Sequence, residues 1–465
     1  MEPADQAFLA ALSVFRGGFT LASAAAVNQI DDATALRRLE TLLGHSLVRG
    51  RASAPGHRRF DLLVTVREFL DESLDPQDRQ VLRRRHAEFL RALMGPVPDP
   101  GVRPYRYQEW QIQLAERPNI RAAIRWADEE GEAELFADLV ISAGATWVRL
   151  GPRDEIDRWL REICSNEAVS PGRRADAFTR RAWLTEITGN LADTQRLMAE
   201  AQALVDGSAN NHRTTMVSLY DSWYRLHAGD EPGAAKALAQ ARAACLAAGE
   251  PPELQCPIHI VAMLAASAAG DQAAADRHAM ETVRLARQYG LDTFLPTALN
   301  NLCEIWTLGG RPDDVIAWAE EAMTVNHNEA FDVYAWLLSQ RGIALLEKGD
   351  VGGAERDFTA SLLLYLREGL AADGIELVQR LAATTAHGGR LGLAATLSAA
   401  FDTVAAGTVV AGSPTVRNVR KVYLADLPAR LGAEYQRAAE RGRDLVRGLD
   451  YREVFQAVLD LLTED

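Results

Sequence analysis

The chain of 465 residues is long enough for two to four domains with their own cores, and 48% of it is apolar. No stretch approaches the roughly twenty consecutive apolar residues of a membrane-spanning helix. The acidic start "MEPADQAFLAAL" does not have the basic region of a signal peptide. Four scattered cysteines indicate reduced thiols rather than a disulfide framework. These features predict a cytoplasmic protein.

The net charge of −14 is concentrated in the middle of the chain. Residues 1–95 carry 13 Arg against 12 Asp plus Glu, and residues 411–465 carry nine basic and nine acidic side chains. Residues 96–410 therefore carry a net charge of roughly −15. Because such a block repels a phosphate backbone, we expect its partner to be a protein, a basic segment or a small effector.

Residues 1–95 have the element order of a winged helix. "DQAFLAALSVF", "LASAAAV" and "DDATALRRLETLLGHSL" predict three helices, the third capped by Asp31 or Asp32. "LVRGRASAPGHRRFDLL" predicts a hairpin whose loop contains Pro55 and Gly56. The run "RRFDLLVTVREFLDESL" changes from strand-like to helix-like with no Gly or Pro between. The second strand is therefore expected to lead directly into the next helix.

Glycines that end one apolar helical pattern and begin another recur every 38 to 41 residues. They are Gly151, Gly189, Gly229, Gly270, Gly309, Gly349 and Gly388. A period this regular is typical of stacked helix pairs. The unit "AWLLSQRGIALLEKGDVGGAERDFTASLLL" resembles a tetratricopeptide repeat, with Gly342 where its two helices touch.

The predicted fold is therefore all-α, a right-handed superhelical tetratricopeptide-like solenoid with a small N-terminal winged-helix domain. We expect the winged helix over residues 1–95, the repeats over 96–410 and a C-terminal helical cap over 411–465.

Several segments closely resemble the STAND-type bacterial transcriptional regulators, relatives of NB-ARC proteins that occur beside antibiotic gene clusters. These are the winged-helix text, the junction "LAERPNIRAAIRWADEEGEAELFADLV" and the tail "LGAEYQRAAERGRDLVRGLDYREVFQAVLD". The resemblance implies the C-terminal half of such a regulator, in which a nucleotide-binding domain precedes the winged helix. It leaves open whether this is a portion of a larger regulator or a natural protein without the ATPase.

Nucleotide chemistry is not expected from this chain. A Walker A site needs Lys followed by Ser or Thr, and the three lysines have other neighbours: Lys236, Lys348 and Lys421. The family's Met-His-Asp motif, whose His reaches the nucleotide, corresponds here to Arg59-Phe60-Asp61. Since Phe cannot hydrogen-bond a phosphate, we expect no nucleotide and no cofactor.

Other catalytic or metal chemistry is also not expected. Cys256 and His259 are two ligands at most, and a structural zinc site needs four. Arg37 and Arg38 on the third helix are placed to meet phosphates, but the nearly neutral domain argues against direct DNA binding.

Two tryptophans are the candidate binding residues. Trp183 and Trp223 each lie six residues before a turn glycine, a position that faces the concave groove in the matched repeat pattern. The alternative for both is packing between adjacent repeats. We interpret them as contacts for a partner or effector.

The sequence thus predicts a non-enzymatic sensor or scaffold module of a STAND-type transcriptional regulator, with a protein partner or small effector in its groove. The alternative is a biosynthetic-pathway enzyme or small-molecule-binding protein that uses the groove as a pocket. A deep closed pocket with a paired acid and base would favour that alternative.

Overall fold

The computed structural model describes residues 1–51, 58–95, 107–150, 152–187, 190–291, 294–325, 331–369, 371–406, 410–412 and 414–463. Within these ranges the chain is helical apart from one two-stranded sheet. The described residues 1–95 and 108–180 form one compact unit, and those from 181 to 463 form a second. No helix in the described ranges has the length and hydropathy needed to cross a bilayer.

The first unit contains the two strands and the helices up to the start of α9. The strands are β1 (Val48–Arg51) and β2 (Arg59–Leu62). The helices are α1 (Pro3–Ala11), α2 (Leu21–Asn28), α3 (Asp32–Gly44), α4 (Val64–Ser73), α5 (Pro76–Met94), α6 (Tyr107–Glu129), α7 (Ala133–Leu150), α8 (Arg153–Ser165) and α9 (Pro171–Ile187). A 3-10 turn, Leu12–Val14, follows α1.

The predicted winged helix is confirmed, with three helices followed by the hairpin. Asp31 caps α3 by accepting the N–H of Thr34 at 2.9 Å. The strands pair antiparallel, with Val48 opposite Leu62. Strand β2 ends at Leu62 and α4 begins at Val64, so the strand does lead straight into the helix. The apolar core of this domain includes Phe8, Leu12, Phe19, Leu39 and Phe60.

The first unit extends beyond the segment predicted as the winged-helix domain, because α6, α7 and α8 belong to it as well. Helix α5 packs on both α2 and α7 and so connects the winged helix with the helices that follow. The division into segments 1–95, 96–410 and 411–465 stays a prediction.

The second unit is built of helices that pack on their neighbours in sequence from α10 to α20. They are α10 (Leu191–Val205), α11 (Asn211–His227), α12 (Glu231–Ala247), α13 (Pro252–Ala268), α14 (Gln272–Tyr289), α15 (Phe294–Leu308), α16 (Pro312–Val325), α17 (Phe331–Glu347), α18 (Val351–Arg367), α19 (Glu376–His387) and α20 (Leu391–Val404). Shorter elements follow: α21 (Pro414–Val419), a π-helical segment (Arg420–Leu424), α22 (Leu427–Leu431), α23 (Ala433–Leu445) and α24 (Tyr451–Thr463). The predicted tetratricopeptide-like helical fold is confirmed.

The turn inside a helix pair combines a left-handed glycine with a capping aspartate. Gly229 has a φ of 75°, and Asp230 accepts the N–H of Gly233 at 3.0 Å at the start of α12. Gly349 has a φ of 84°, and Asp350 does the same for α18. Glycine tolerates this backbone without strain, and the Asp satisfies an N–H that the helix start leaves unpaired. In these two helix pairs the dipeptide Gly-Asp therefore encodes the turn.

Two predicted turn positions are displaced by one residue. The residue with positive φ is Gly310 rather than Gly309, and Gly389 rather than Gly388. Each is the second glycine of a Gly-Gly pair, so the spacing alone does not tell them apart. Two other predicted turn residues, at 151 and 189, lie outside the described residues.

Helices α17 and α18 approach closely at Gly342, as predicted. A Cβ added there would lie 2.6 Å from Cε1 of Phe358, which is completely buried. Ala354 and Ser361 on the same face of α18 are also completely buried. The hydroxyl of Ser361 donates to the carbonyl of Ala335 at 2.7 Å, which ties α18 back to α17.

Candidate functional site

The two predicted tryptophans lie on helices of the same kind in successive repeats. Trp183 is in the part of α9 that belongs to the second unit, and Trp223 is in α11. Both side chains are half-buried, and therefore keep part of their surface available. Their role in binding stays a prediction.

A polar contact joins the two helices beside these tryptophans. The imidazole Nδ1 of His227 lies within hydrogen-bond distance of the Glu186 carboxylate. The ring of His227 packs edge-on against Trp223, with centroids 4.8 Å apart and an angle of 62°. Glu186 is three residues from Trp183, so both lie on one side of α9. We call these four residues, Trp183, Glu186, Trp223 and His227, the tryptophan surface.

Sequence reasoning missed Glu186 and His227. The signal was present, because His227 lies four residues after Trp223 and Glu186 three residues after Trp183. Only the structure shows that α9 and α11 bring the acid and the imidazole together.

The other side of α11 carries an ion-pair network instead. Arg225 donates to Asp221 at 2.8 Å and to Asp230 at 2.7 Å. The hydrogen bond to Asp221 is the main cause that raises the pKa of Arg225. The N–H of Gly233, followed by Arg225, lowers the pKa of Asp230. These bonds hold α11 against the start of α12 and thereby fix the face that presents Trp223.

A cavity of about 350 Å³ borders this network. Its lining includes Gln202, Asp221, Arg225 and Lys236, which lie on α10, α11 and α12. Asp221 is two residues from Trp223 and hence on a different side of the helix. The tryptophan surface and this cavity are therefore separate features.

Cys256 and His259 do not combine into a metal site. Burial raises the pKa of the Cys256 thiol to about 12. His259 faces His278 of α14, with the two Nδ1 atoms 2.9 Å apart. Burial, and then His278, lowers the pKa of His259 to about 4. Among the described residues no group of three His, Cys, Asp or Glu side chains is placed to hold a metal ion.

The segment Arg59-Phe60-Asp61, which corresponds to the Met-His-Asp motif of STAND-type regulators, contributes to the core of the first unit. Phe60 is 4% exposed, exchanges two backbone hydrogen bonds of 2.8 Å with Phe19 and stacks on its ring at 6.0 Å. Arg59 is buried, forms an ion pair with Glu116 of α6 and donates to the carbonyl of Gly18 at 3.1 Å. These residues join the hairpin to α6.

The arginines of α3 are partly engaged within the domain. Arg38 lies 3.7 Å from the carboxylate of Asp5, and Arg37 donates to the hydroxyl of Thr34 at 3.0 Å. That Arg37 and Arg38 do not bind DNA directly stays a prediction.

Comparison with known proteins supports the N-terminal assignment. Residues 1–75 match the family of winged helix-turn-helix domains. Proteins named as HTH-type transcriptional regulators from Mycobacterium tuberculosis and Mycobacterium bovis are 28% identical over 221 residues, which is 44% of this chain and 25% of theirs. The chain thus spans about a quarter of the length of these relatives.

A solved structure shares the fold. The STAND protein with a tetratricopeptide repeat sensor from Pyrococcus horikoshii matches with a TM-score of 0.53 and 14% identity. The match covers 100% of this chain and 65% of that protein. The predicted resemblance is confirmed in its winged helix-turn-helix domain and in its helical-repeat fold.

Proposed function

Since this chain carries a winged helix-turn-helix domain and has the fold of a STAND protein with tetratricopeptide repeats, we propose that it is the sensor or scaffold module of a STAND-type transcriptional regulator. In this proposal the module performs no chemistry. Its repeats bind a partner or effector, and the surface around Trp183 and Trp223 is the contact. The observation that carries the proposal is that both tryptophans are half-buried on α9 and α11 and bordered by Glu186 and His227.

The charge of the repeats supports a basic partner. The middle of the chain holds roughly −15, and Glu186 stands at the border of the tryptophan surface. An amphipathic helix with Lys or Arg on one face would place its apolar side on the tryptophans and its basic side toward the acids. Large aromatic side chains are the usual anchors of such contacts.

The test first selects a helical peptide that binds the chain. It then measures which side chains of the chain this binding requires. A library of helical peptides with Lys or Arg on one face is screened against the full chain, and the affinity of the selected peptide is measured by fluorescence anisotropy. We expect Trp223→Ala to weaken binding at least about tenfold, because an aromatic anchor contributes on the order of 2 kcal/mol. Its melting curve should stay close to that of the unmodified chain.

Leu246→Ala is the matched control, because Leu246 is an apolar side chain that is 66% exposed on α12. It should leave the affinity unchanged. If no peptide is selected, or if both variants weaken binding equally, the tryptophan surface is not the contact. If Trp223→Ala and Trp183→Ala instead unfold the chain, both residues are core residues.

A further inference from the structure

A cavity lined by arginines lies within the first unit, beside the turn after α1 and helices α5 and α6. Its volume is about 690 Å³, which is in the range of small-molecule sites. Arg16 comes from the turn, Arg83 from α5, and Arg117, Arg121 and Arg125 from α6. The three on α6 are four residues apart, so they project from one face of the helix.

On one wall, two arginines share a single carboxylate. Arg16 and Arg83 lie 3.7 Å and 3.0 Å from Asp71, which Arg79 also approaches at 3.8 Å. Burial is the main cause that lowers the pKa of Arg16; Asp71 and Glu68 oppose the shift, and Arg67 and Arg83 add to it. The single carboxylate of Asp71 is thus shared by three guanidinium groups on this wall.

The α6 wall repeats this arrangement. Arg121 and Arg125 share Glu155, the first at 2.5 Å and the second at 3.6 Å. Burial, and then Arg121, lowers the pKa of Arg117, while Glu155 opposes the shift. Asp71 and Glu155 thus serve at least four guanidinium groups, and Glu129 is the acid in the cavity lining. The site retains an excess of positive charge that an anion would neutralise.

His86 contributes a neutral, buried ring to the wall of the cavity. The side chain is among the lining residues, is 3% exposed and packs edge-on against Phe15 at 5.0 Å. Burial and Arg16 lower the pKa of His86 to about 3, so the ring is neutral near pH 7. The charge of the cavity wall therefore comes from its arginines and Glu129.

The remaining lining is apolar. Val14, Pro118, Ala122, Ala123 and Trp126 contribute to it. The indole N–H of Trp126 donates to Gln80 at 2.8 Å, which fixes the ring. A ligand that fits both surfaces has an anionic group and an apolar part.

We propose that this cavity binds a small phosphorylated organic molecule, with its phosphate held by Arg16, Arg83, Arg117 and Arg121 and its apolar part against Trp126. Guanidinium groups bind phosphate oxygens through paired N–H bonds. A phosphate dianion would balance the positive charge that remains because the arginines share the carboxylates of Asp71 and Glu155. The site requires no P-loop. It does not involve the tryptophan surface in the repeats, so a result that contradicts this proposal does not contradict the proposed function, and the reverse is also true.

The test is calorimetric titration of the full chain in low-salt buffer with four probes: inorganic phosphate, pyrophosphate, glucose 6-phosphate and ADP. We expect at least one to bind with a Kd below about 1 mM. Arg121→Gln should weaken that binding at least about tenfold. Tighter binding of ADP identifies a nucleotide as the natural source of the phosphate, and tighter binding of glucose 6-phosphate identifies a sugar phosphate.

The matched control is Arg161→Gln on α8, because Arg161 is an arginine of the same unit that pairs with Asp157 at the surface. It should leave the Kd unchanged. If Arg121→Gln lowers the melting temperature, Arg83→Gln replaces it and should weaken binding at least about tenfold, since Arg83 is also a proposed phosphate contact and its side chain is 29% exposed. The proposal is overturned if none of the four probes binds with a Kd below about 1 mM. Equal weakening by Arg161→Gln also overturns it, because diffuse surface charge would then explain the binding.

Discussion

Gly342 shows at the residue scale how a missing side chain sets the distance between two helices. A Cβ there would lie 2.6 Å from the Phe358 ring, which is enclosed between α17 and α18. We expect Gly342→Leu to destabilise the second unit by about 1–3 kcal/mol or more, because the helices must separate. Thermal melting measures this as a loss of about 2–4 °C for each kcal/mol.

Gly352→Ala provides the control for this substitution. A Cβ at Gly352 meets nothing closer than 3.8 Å, and the residue lies in the first turn of α18. Its melting temperature should be unchanged or slightly higher, because alanine reduces the freedom of the unfolded chain. A Gly342→Leu variant that melts like the unmodified chain would show that the repeat register is wrong.

The side chain of Asn119 joins helix α6 to the turn after α1. Its side-chain oxygen accepts the N–H groups of Arg16 at 2.7 Å and Gly17 at 3.3 Å. Its amide nitrogen donates to Gly18 at 2.9 Å and to Glu116 at 2.6 Å. Asn119→Ala would leave the N–H groups of Arg16 and Gly17 without this acceptor in a part-buried site, while Gly18 and Glu116 keep their contacts with Arg59. We expect a loss on the order of 3 kcal/mol in the urea unfolding of the first unit.

Asn166→Ala is the comparison for this loss. Asn166 accepts one N–H, from Ala168 at 2.9 Å, and does so at the surface. Its replacement should cost less than about 1 kcal/mol, because water can take over the bond. Equal losses in the two variants would mean that the Asn119 bonds are not what joins the turn to α6.

At the scale of elements, the winged helix was predictable because its signals are local. Apolar periodicity predicted the helices. The absence of Gly or Pro between Leu62 and Val64 predicted that β2 leads directly into α4. The recurring glycines likewise marked the repeat turns. In the Gly-Gly pair at Gly309 and Gly310, only the backbone φ decides which residue makes the turn.

The junction between the hairpin and α6 was not predictable in the same way. Arg59 and Glu116 are 57 residues apart, and nothing in either local pattern points to the other. The arginines of α6 have the spacing of an ordinary exposed helix face. Their role as a cavity wall appears only when α5 and the turn after α1 are placed opposite them.

At the scale of the whole molecule, each unit contains a histidine that folding keeps neutral. The pKa of His86 in the first unit is about 3, and that of His259 in the second is about 4, against an ordinary value of 6.5. The unfolded chain therefore binds a proton in a pH range where the folded chain does not. Stability from this source is complete above pH 6.5 and decreases as the pH falls below it.

The decrease should appear in both units. Both folded pKa values lie well below pH 5.5, so each histidine takes up a proton in the unfolded chain before it does so in the folded chain. His86, which is 3% exposed, contributes up to about 1.4 kcal/mol for each pH unit between its two pKa values. His259 is half-buried and solvent screens part of its interaction, but it lies beside His278, whose pKa burial also lowers.

Urea unfolding at pH 7.5 and pH 5.5 tests this pH dependence, with hydrogen exchange of peptides from α5 and α13 reporting on each unit separately. This range lies above the titration of most carboxyl groups, so histidines dominate the change. His86→Phe keeps a ring against Phe15 but cannot take up a proton, and should make the first unit much less sensitive to pH while the second is unchanged. His212→Gln, at an exposed histidine of α11, should alter neither. If the first unit of His86→Phe loses as much stability between the two pH values as the unmodified chain, protonation of His86 is not what destabilises it.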